Sequence, residues 1–495
     1  MNRQISRLGV VLIAAYLLAF VQLNRIQLLD ADDYRSNTAN TRDIVMSFTE
    51  PRGSIRTADG ELIAETVATR DELERLRIYP HGELYAHLTG YLSLDYGADG
   101  LERQYNDELS GGDLDIRIQS LSDLFIDRDR TGQLHLTIRH DVQLVARAAL
   151  GDRRGAVVAI EPSTGAVLSM WSSPTYDPNL LSSHDLAAAR TERIRLLADP
   201  DNPLRSSAYR ERFAPGSTFK VVTAAAALAD GTVTLDAPVY AVTDSYVAPQ
   251  TTRPITNFGG SSCGGDLGDL LRVSCNTGFA EMGIQLGADG VISAAEAFGF
   301  NSVPAIDLPD PTPSVIPEAG FFTDNLPLLA QSAIGQFEVA ATPLQMAMVA
   351  AAIANDGTLM QPRVVEQVTS FDGTPLRVLQ ARVDSRPISF AIAQQLQDLM
   401  ADVVTNGTAR SLQITGVDVA AKTGTAEIDG TDGTHAWIIA FAPVHDPQVA
   451  VAVLVEGDDT TGQQTGGSVA GPIARSVIEA VLHVPTSTGT PAPAD

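Results

Sequence analysis

The chain has 495 residues, long enough for more than one domain, and its 44% hydrophobic content is that of a globular protein, neither disordered nor polytopic. Acidic residues outnumber basic ones 60 to 34, a net charge of −26. Such a surface repels a phosphate backbone and argues against nucleic-acid binding. The basic residues include only two lysines, Lys220 and Lys422. Arginine stays charged in proteins, whereas lysine shifts its pKa and acts as a base, so a lysine-starved chain keeps lysine where arginine cannot serve. The two cysteines, Cys263 and Cys275, are too few for a disulfide framework and lack zinc-site spacing. A bridge between them is permitted if the body lies outside the cytoplasm.

Taken in chain order, the first predicted element is an apolar run over residues 8–23, preceded by Arg3 and Arg7 and followed by Arg25. A bilayer span needs about twenty residues, which Ile26 to Leu29 help to supply. A cleaved signal peptide is the rival, but no small-x-small cleavage site follows the run. The expectation is an uncleaved single-pass anchor with residues 1–7 in the cytoplasm, 8–28 in the membrane and the body outside. Residues 29–150 are polar and mixed and carry no catalytic constellation, so they read as a stalk or pedestal. From Gly155 two apolar runs flank Pro162-Ser163-Thr164-Gly165 and predict a β-hairpin. Helical patterns cover 217–230, 269–286, 343–355 and 387–404, residues 303–318 are a proline-rich loop, and strands are expected at 417–428, 436–442 and 449–455. Strands at both ends of a helical middle indicate an α+β domain over 151–484, an antiparallel sheet flanked by helices. The tail 485–495 has a disordered composition.

Three short motifs carry chemistry. In Pro215-Gly216-Ser217-Thr218-Phe219-Lys220 the serine falls at a helix N-terminus and the lysine one turn later on the same face. That end of a helix favours the negative charge of an alkoxide or oxyanion. In Ser274-Cys275-Asn276 the hydroxyl can relay a proton and the amide can hold a substrate amide. In Lys422-Thr423-Gly424-Thr425 a glycine sits mid-strand, a place where a ligand backbone often approaches closely. A peptide laid along this edge by β-augmentation would present its terminal carboxylate to Lys422 or Thr423. His435, Trp171 and Trp437 read as structural, the acidic pairs as solvated surface, and no metal or cofactor is indicated.

Together, S-x-x-K, S-x-N and K-T-G resemble the motif set of penicillin-binding proteins and class A β-lactamases, with Cys275 standing where the pattern has Asp. Further runs resemble the class B penicillin-binding proteins: Arg52-Gly53-Ser54-Ile55, Asp59-Gly60-Glu61-Leu62, Pro174-Thr175-Tyr176-Asp177-Pro178-Asn179, Ile334-Gly335-Gln336, Thr342-Pro343-Leu344-Gln345 and His435-Ala436-Trp437. Within that class the chain is most similar to the short penicillin-binding protein A type of actinobacteria. The resemblance implies a dimerisation-like pedestal and a D,D-transpeptidase. Ser217 would attack a D-Ala-D-Ala stem peptide and be acylated by β-lactams. Lys220 would be its base, Ser274 and Lys422 would shuttle the proton, and the N–H groups of Ser217 and Thr425 would form the oxyanion hole. It also implies a membrane glycosyltransferase of the shape-and-division family as partner. A carboxypeptidase or β-lactamase using water, or a silent β-lactam-binding scaffold, are the competing readings.

Overall fold

A computed structural model describes residues 2–25, 48, 50–112, 131–428, 433–458, 462 and 464–484. The sheet that organises the site has five strands, the central ones among the most apolar runs in the chain. The five are β5 (Gly155–Ile160), β6 (Val167–Ser173), β9 (Ala420–Glu427), β10 (Thr434–Ala442) and β11 (Val449–Val455), in the order β9-β10-β11-β5-β6, every pairing antiparallel. Every residue of β5 and β11 is buried. Central strands covered on both faces need unbroken apolar runs instead of the alternation of a half-exposed strand. Helix α5 (Pro343–Ala354) is buried at all its positions and packs on β10, β11 and β5, as a helix that is apolar all round must. Also packed on or beside this sheet are α2 (His140–Leu150), α3 (Lys220–Asp230), α6 (Phe390–Thr405) and α7 (Gly471–Val481).

The helical pattern at 269–286 is not one helix. A short helix, Leu267–Arg272, stops, and α4 (Asn276–Ala297) begins, with the turn Val273-Ser274-Cys275 between them. The break has a backbone cause: Ser274 has φ +61°, a left-handed conformation that no helix interior tolerates.

The pedestal is a second, mixed sheet of six strands. It contains β1 (Ile55–Arg56), β2 (Leu62–Ala68), β3 (Arg75–Ile78), β4 (Gly132–Leu136), β7 (Val365–Ser370) and β8 (Pro375–Val378), ordered β8-β7-β4-β1-β2-β3, with β1 parallel to β4. Two of its strands therefore come from beyond residue 360, well inside the stretch expected to form the other domain. At its heart Glu102, fully buried, accepts from Arg52 Nε and Arg77 Nε at 2.6 Å each.

At the N-terminus α1 (Asn2–Asn24) exposes Val11, Leu12, Ile13, Leu18, Phe20 and Val21. No helix among the described residues is long and apolar enough to cross a membrane. The end of the expected span, 26–28, and the expected tail, 485–495, lie outside the described residues.

Candidate active site

Ser217 lies in a 3-10 turn, Gly216–Phe219, that runs directly into α3. The turn is pressed against β9. Gly216 has φ +52°, and a Cβ there would lie 2.5 Å from Thr425 O. Gly424 answers it from the strand, where a Cβ would lie 2.8 Å from Thr218 Cγ2 and 2.9 Å from Pro215 O. The sequence reading gave Gly424 to an approaching ligand. Within the chain its close neighbour is the turn that carries Ser217, which a side chain at 424 would meet at Thr218 and Pro215.

Lys220, one helical turn beyond Ser217, is fully buried. Its Nζ donates to Ser274 O at 2.7 Å and to Asn276 Oδ1 at 2.7 Å, and lies 3.4 Å from Ser274 Oγ. Lys422, in the middle of β9 opposite Ile439, is also fully buried and donates to Ser274 Oγ at 2.8 Å and Thr423 O at 2.8 Å. Both lysines are desolvated. Burial, and then the charge of Lys422, hold Lys220 well below the usual lysine range. Burial alone pulls Lys422 down to about 7. Among the described residues no carboxylate is bonded to either amine.

The fold thus brings Lys220, Ser274, Asn276 and Lys422 together from three separate elements, with Ser217 one helical turn before Lys220 on a turn packed against β9. Asn276 is bonded within the chain at both amide atoms. Its Oδ1 is taken by Lys220, and its Nδ2 donates to Thr256 O at 2.9 Å. Thr423 is nearly buried, and its Oγ1 lies 2.6 Å from Thr408 Oγ1. Thr425, half-buried, sits one residue past Gly424 opposite Ala436. The structure joins Cys263 and Cys275 in a disulfide, with Cα atoms 5.8 Å apart. His435 is bonded to other groups. Its Nδ1 accepts from Gly457 N at 3.2 Å, its ring meets Phe213 edge-on, and burial drops its pKa to about 4.

Sequence reasoning missed two residues here. Thr408 follows α6 in the turn Asn406-Gly407-Thr408. Its N–H donates to Arg272 O at 3.3 Å, so one residue ties the helix that precedes the S-x-N turn to the K-T-G strand. Asn257 is buried beneath Asn276 and Thr277, and its Oδ1 accepts from both of their backbone N–H groups at 3.0 Å. Neither residue stands in a motif, and no periodicity marks them. The one available signal for Asn257 was a cysteine, a poor helix cap, at the position before α4.

Comparison with known proteins agrees with this geometry. Residues 155–479 match the penicillin binding protein transpeptidase domain, and residues 52–134 match the penicillin binding protein A dimerisation domain. The peptidoglycan D,D-transpeptidase PbpA of Mycolicibacterium smegmatis is 40% identical over 502 residues, 98% of this chain and 99% of that protein. The peptidoglycan D,D-transpeptidase MrdA of Acinetobacter baumannii is 28% identical, over 81% of this chain and 65% of that one. The structure of penicillin-binding protein A from M. tuberculosis as a ceftriaxone acyl-enzyme complex superposes with a TM-score of 0.82 at 38% identity, covering 88% of this chain and all of the other. Motifs, fold and similarity over almost the full length coincide, and the chain belongs to the class B penicillin-binding proteins, the serine D,D-transpeptidases of peptidoglycan synthesis.

Proposed function

We propose that this chain crosslinks peptidoglycan stem peptides through an acyl-enzyme on Ser217. The observation that carries the assignment is the convergence of two buried, partly discharged lysines on Ser274 beside a serine held at the start of α3. A neutral amine has two hydrogens and one lone pair. Lys220 spends its two short bonds on Ser274 O and Asn276 Oδ1, which leaves the lone pair to accept the Ser217 proton. Ser217 Oγ then bonds to the carbonyl carbon of the penultimate D-Ala. The C–N bond to the terminal D-Ala breaks, and that amine leaves with a proton delivered through Ser274. Lys422 donates to Ser274 Oγ, so the hydroxyl is held to pass its own hydrogen onward. In the second half an amine of a neighbouring stem peptide attacks the ester. Its C–N bond forms, the C–O bond to Ser217 breaks, and the proton returns to Ser217.

Lys422, Thr423 and Thr425 would hold the terminal carboxylate. The backbone N–H groups of Ser217 and Thr425 would stabilise the oxyanion, where one donor is typically worth ~3 kcal/mol. A β-lactam presents the same carboxylate beside a strained amide and acylates Ser217 without a departing amine, so it stays attached.

We read the chain as residues 1–7 cytoplasmic, 8–28 anchoring it in the membrane, 29–150 with the added strands β7 and β8 as pedestal, and 151–484 as the transpeptidase domain outside. The exposed apolar side chains of α1 support the anchor. A transpeptidase needs glycan strands to crosslink, so a membrane glycosyltransferase of the shape-and-division family is the natural partner.

Fluorescent penicillin tests the assignment. A long-lived adduct that disappears in Ser217→Ala supports it, rapid turnover of the label indicates a β-lactamase, and no label sinks the enzyme. Crosslinked dimers from a pentapeptide substrate then distinguish transpeptidation from carboxypeptidase hydrolysis.

A further inference from the structure

Ser274 holds a conformation that its own residue type disfavours. Its φ of +61° costs an L-residue with a Cβ about 1–2 kcal/mol, and it persists only if the surroundings impose it. That conformation matters, because the same residue offers its carbonyl to Lys220 and its hydroxyl to Lys422. The turn is followed at once by α4, whose first N–H groups need acceptors. The residue at the N-cap, Cys275, makes no side-chain capping bond and is tied up in the disulfide. Where the family pattern has an Asp, a good N-cap, this chain has a residue that cannot cap.

Asn257 fills the gap from elsewhere in the chain. It is 5% exposed, and each side-chain heteroatom makes two bonds. Oδ1 accepts from Asn276 N and Thr277 N at 3.0 Å each, and Nδ2 donates to Thr243 O at 2.9 Å and Ser261 O at 3.0 Å. With both amide atoms fixed, its rotamer is fixed too. The neighbouring Thr256 carbonyl accepts from Asn276 Nδ2, so residues 256 and 257 grip the start of α4 through backbone and side chain.

We infer that Asn257 is a positioning residue for the transpeptidase reaction: it caps α4 from outside and thereby holds Ser274 and Asn276 where the two lysines meet them. The inference rests on the reading of Ser274 as proton relay and adds the residue that enforces its geometry.

The test compares second-order acylation of the full chain by fluorescent penicillin in five proteins: wild type, Asn257→Ala, Asn257→Asp, Ser274→Ala and the Asn257→Ala/Ser274→Ala double variant. Alanine at 257 leaves two buried amides unmet and is expected to slow acylation by tens of fold, on the order of 30. Aspartate keeps the acceptor at the positive end of α4 but sets a carboxylate oxygen against the carbonyls of Thr243 and Ser261, so it should recover only part of that loss. Because Asn257 acts on Ser274 and Asn276 together, adding Asn257→Ala to Ser274→Ala should cost clearly less than it costs in wild type, about tenfold or below. Should Asn257→Ala fail to melt cooperatively, Asn257→Ser takes its place, its shorter side chain still falling short of the amides. A slow Ser274→Ala beside a full-rate Asn257→Ala overturns the Asn257 inference alone. So does an undiminished further loss in the double variant. A full-rate Ser274→Ala overturns the relay reading and takes this inference with it.

Discussion

Lys220 and Lys422 meet on a single residue, one bonded to the carbonyl of Ser274 at 2.7 Å and the other to its hydroxyl at 2.8 Å. Two buried ammonium groups cannot both stay charged there without a counterion. Burial and the charge of Lys422 both push Lys220 towards its neutral form. Arginine at 220 would keep the positive charge and lose the base. Lys220→Arg is therefore expected to reduce penicillin acylation by at least about a hundredfold, the usual range for a lost general base. Stopped-flow labelling measures it, and a normal rate in that variant would sink the assignment of Lys220.

Much of the scaffold was readable because it is written in local pattern. The run Val449–Val455 is apolar at every position, and a strand buried on both faces can look no other way. Ser217 and Lys220 declared themselves through spacing and through the scarcity of lysine. The failures share a cause. Asn257 and Thr408 act through hydrogen bonds to residues distant in sequence, and a single Asn or Thr in a polar stretch looks like any turn residue. Strands β7 and β8 join the pedestal across more than two hundred residues, a pairing that local alternation cannot announce. Gly424 was noticed, but its close approach to the turn around Ser217 is a contact between distant segments that a sequence does not show.

Thr408 and Thr423 share one hydrogen bond of 2.6 Å, and which hydroxyl donates decides what Thr423 has left for substrate. If Thr408 donates, Thr423 keeps its own hydrogen for a carboxylate. Thr408→Val should then slow acylation by penicillin G by about tenfold, the scale of a weakened bond to a charged group. Acylation by the penicillin methyl ester, which has no carboxylate to recognise, should change by much less, and Thr408→Ser should restore the difference. Equal slowing with both compounds would show that Thr408 has no part in carboxylate recognition.

Glu102 makes a separate prediction about stability. Burial raises the pKa of its carboxyl, yet Arg77 and Arg52 outweigh that and hold it below the ordinary value. Each arginine also has a backbone acceptor, Arg52 on Glu102 O at 2.7 Å and Arg77 on Gly53 O at 2.8 Å. Glu102→Gln would leave two buried guanidinium groups with no anion. Breaking a buried charge pair by removing one partner costs about 3–5 kcal/mol. Urea titration of the variant should show a loss of that order, and a loss below about 1 kcal/mol would mean that the arginines find water or another partner.

The last prediction concerns acid. His87 is buried with Nε2 on Pro203 O at 2.9 Å, and burial lowers its pKa to about 4 from a usual value of 6.5. The sign follows from which state binds the proton. Above pH 6.5 neither the folded nor the unfolded chain protonates this imidazole, so it contributes no pH dependence. As pH falls from 6.5 towards 4, the unfolded state takes up a proton that the folded state refuses, and stability drops. The drop amounts to about 3 kcal/mol once pH is below the folded value. His435, also lowered to about 4, adds to the same limb. In His87→Gln that share of the acid limb is absent. Its melting temperature at neutral pH is free to differ from wild type, but its decline between pH 6.5 and 4 should be shallower. Parallel melting curves for the two proteins across that window would show that His87 is protonated as readily when folded as when unfolded, contrary to its burial.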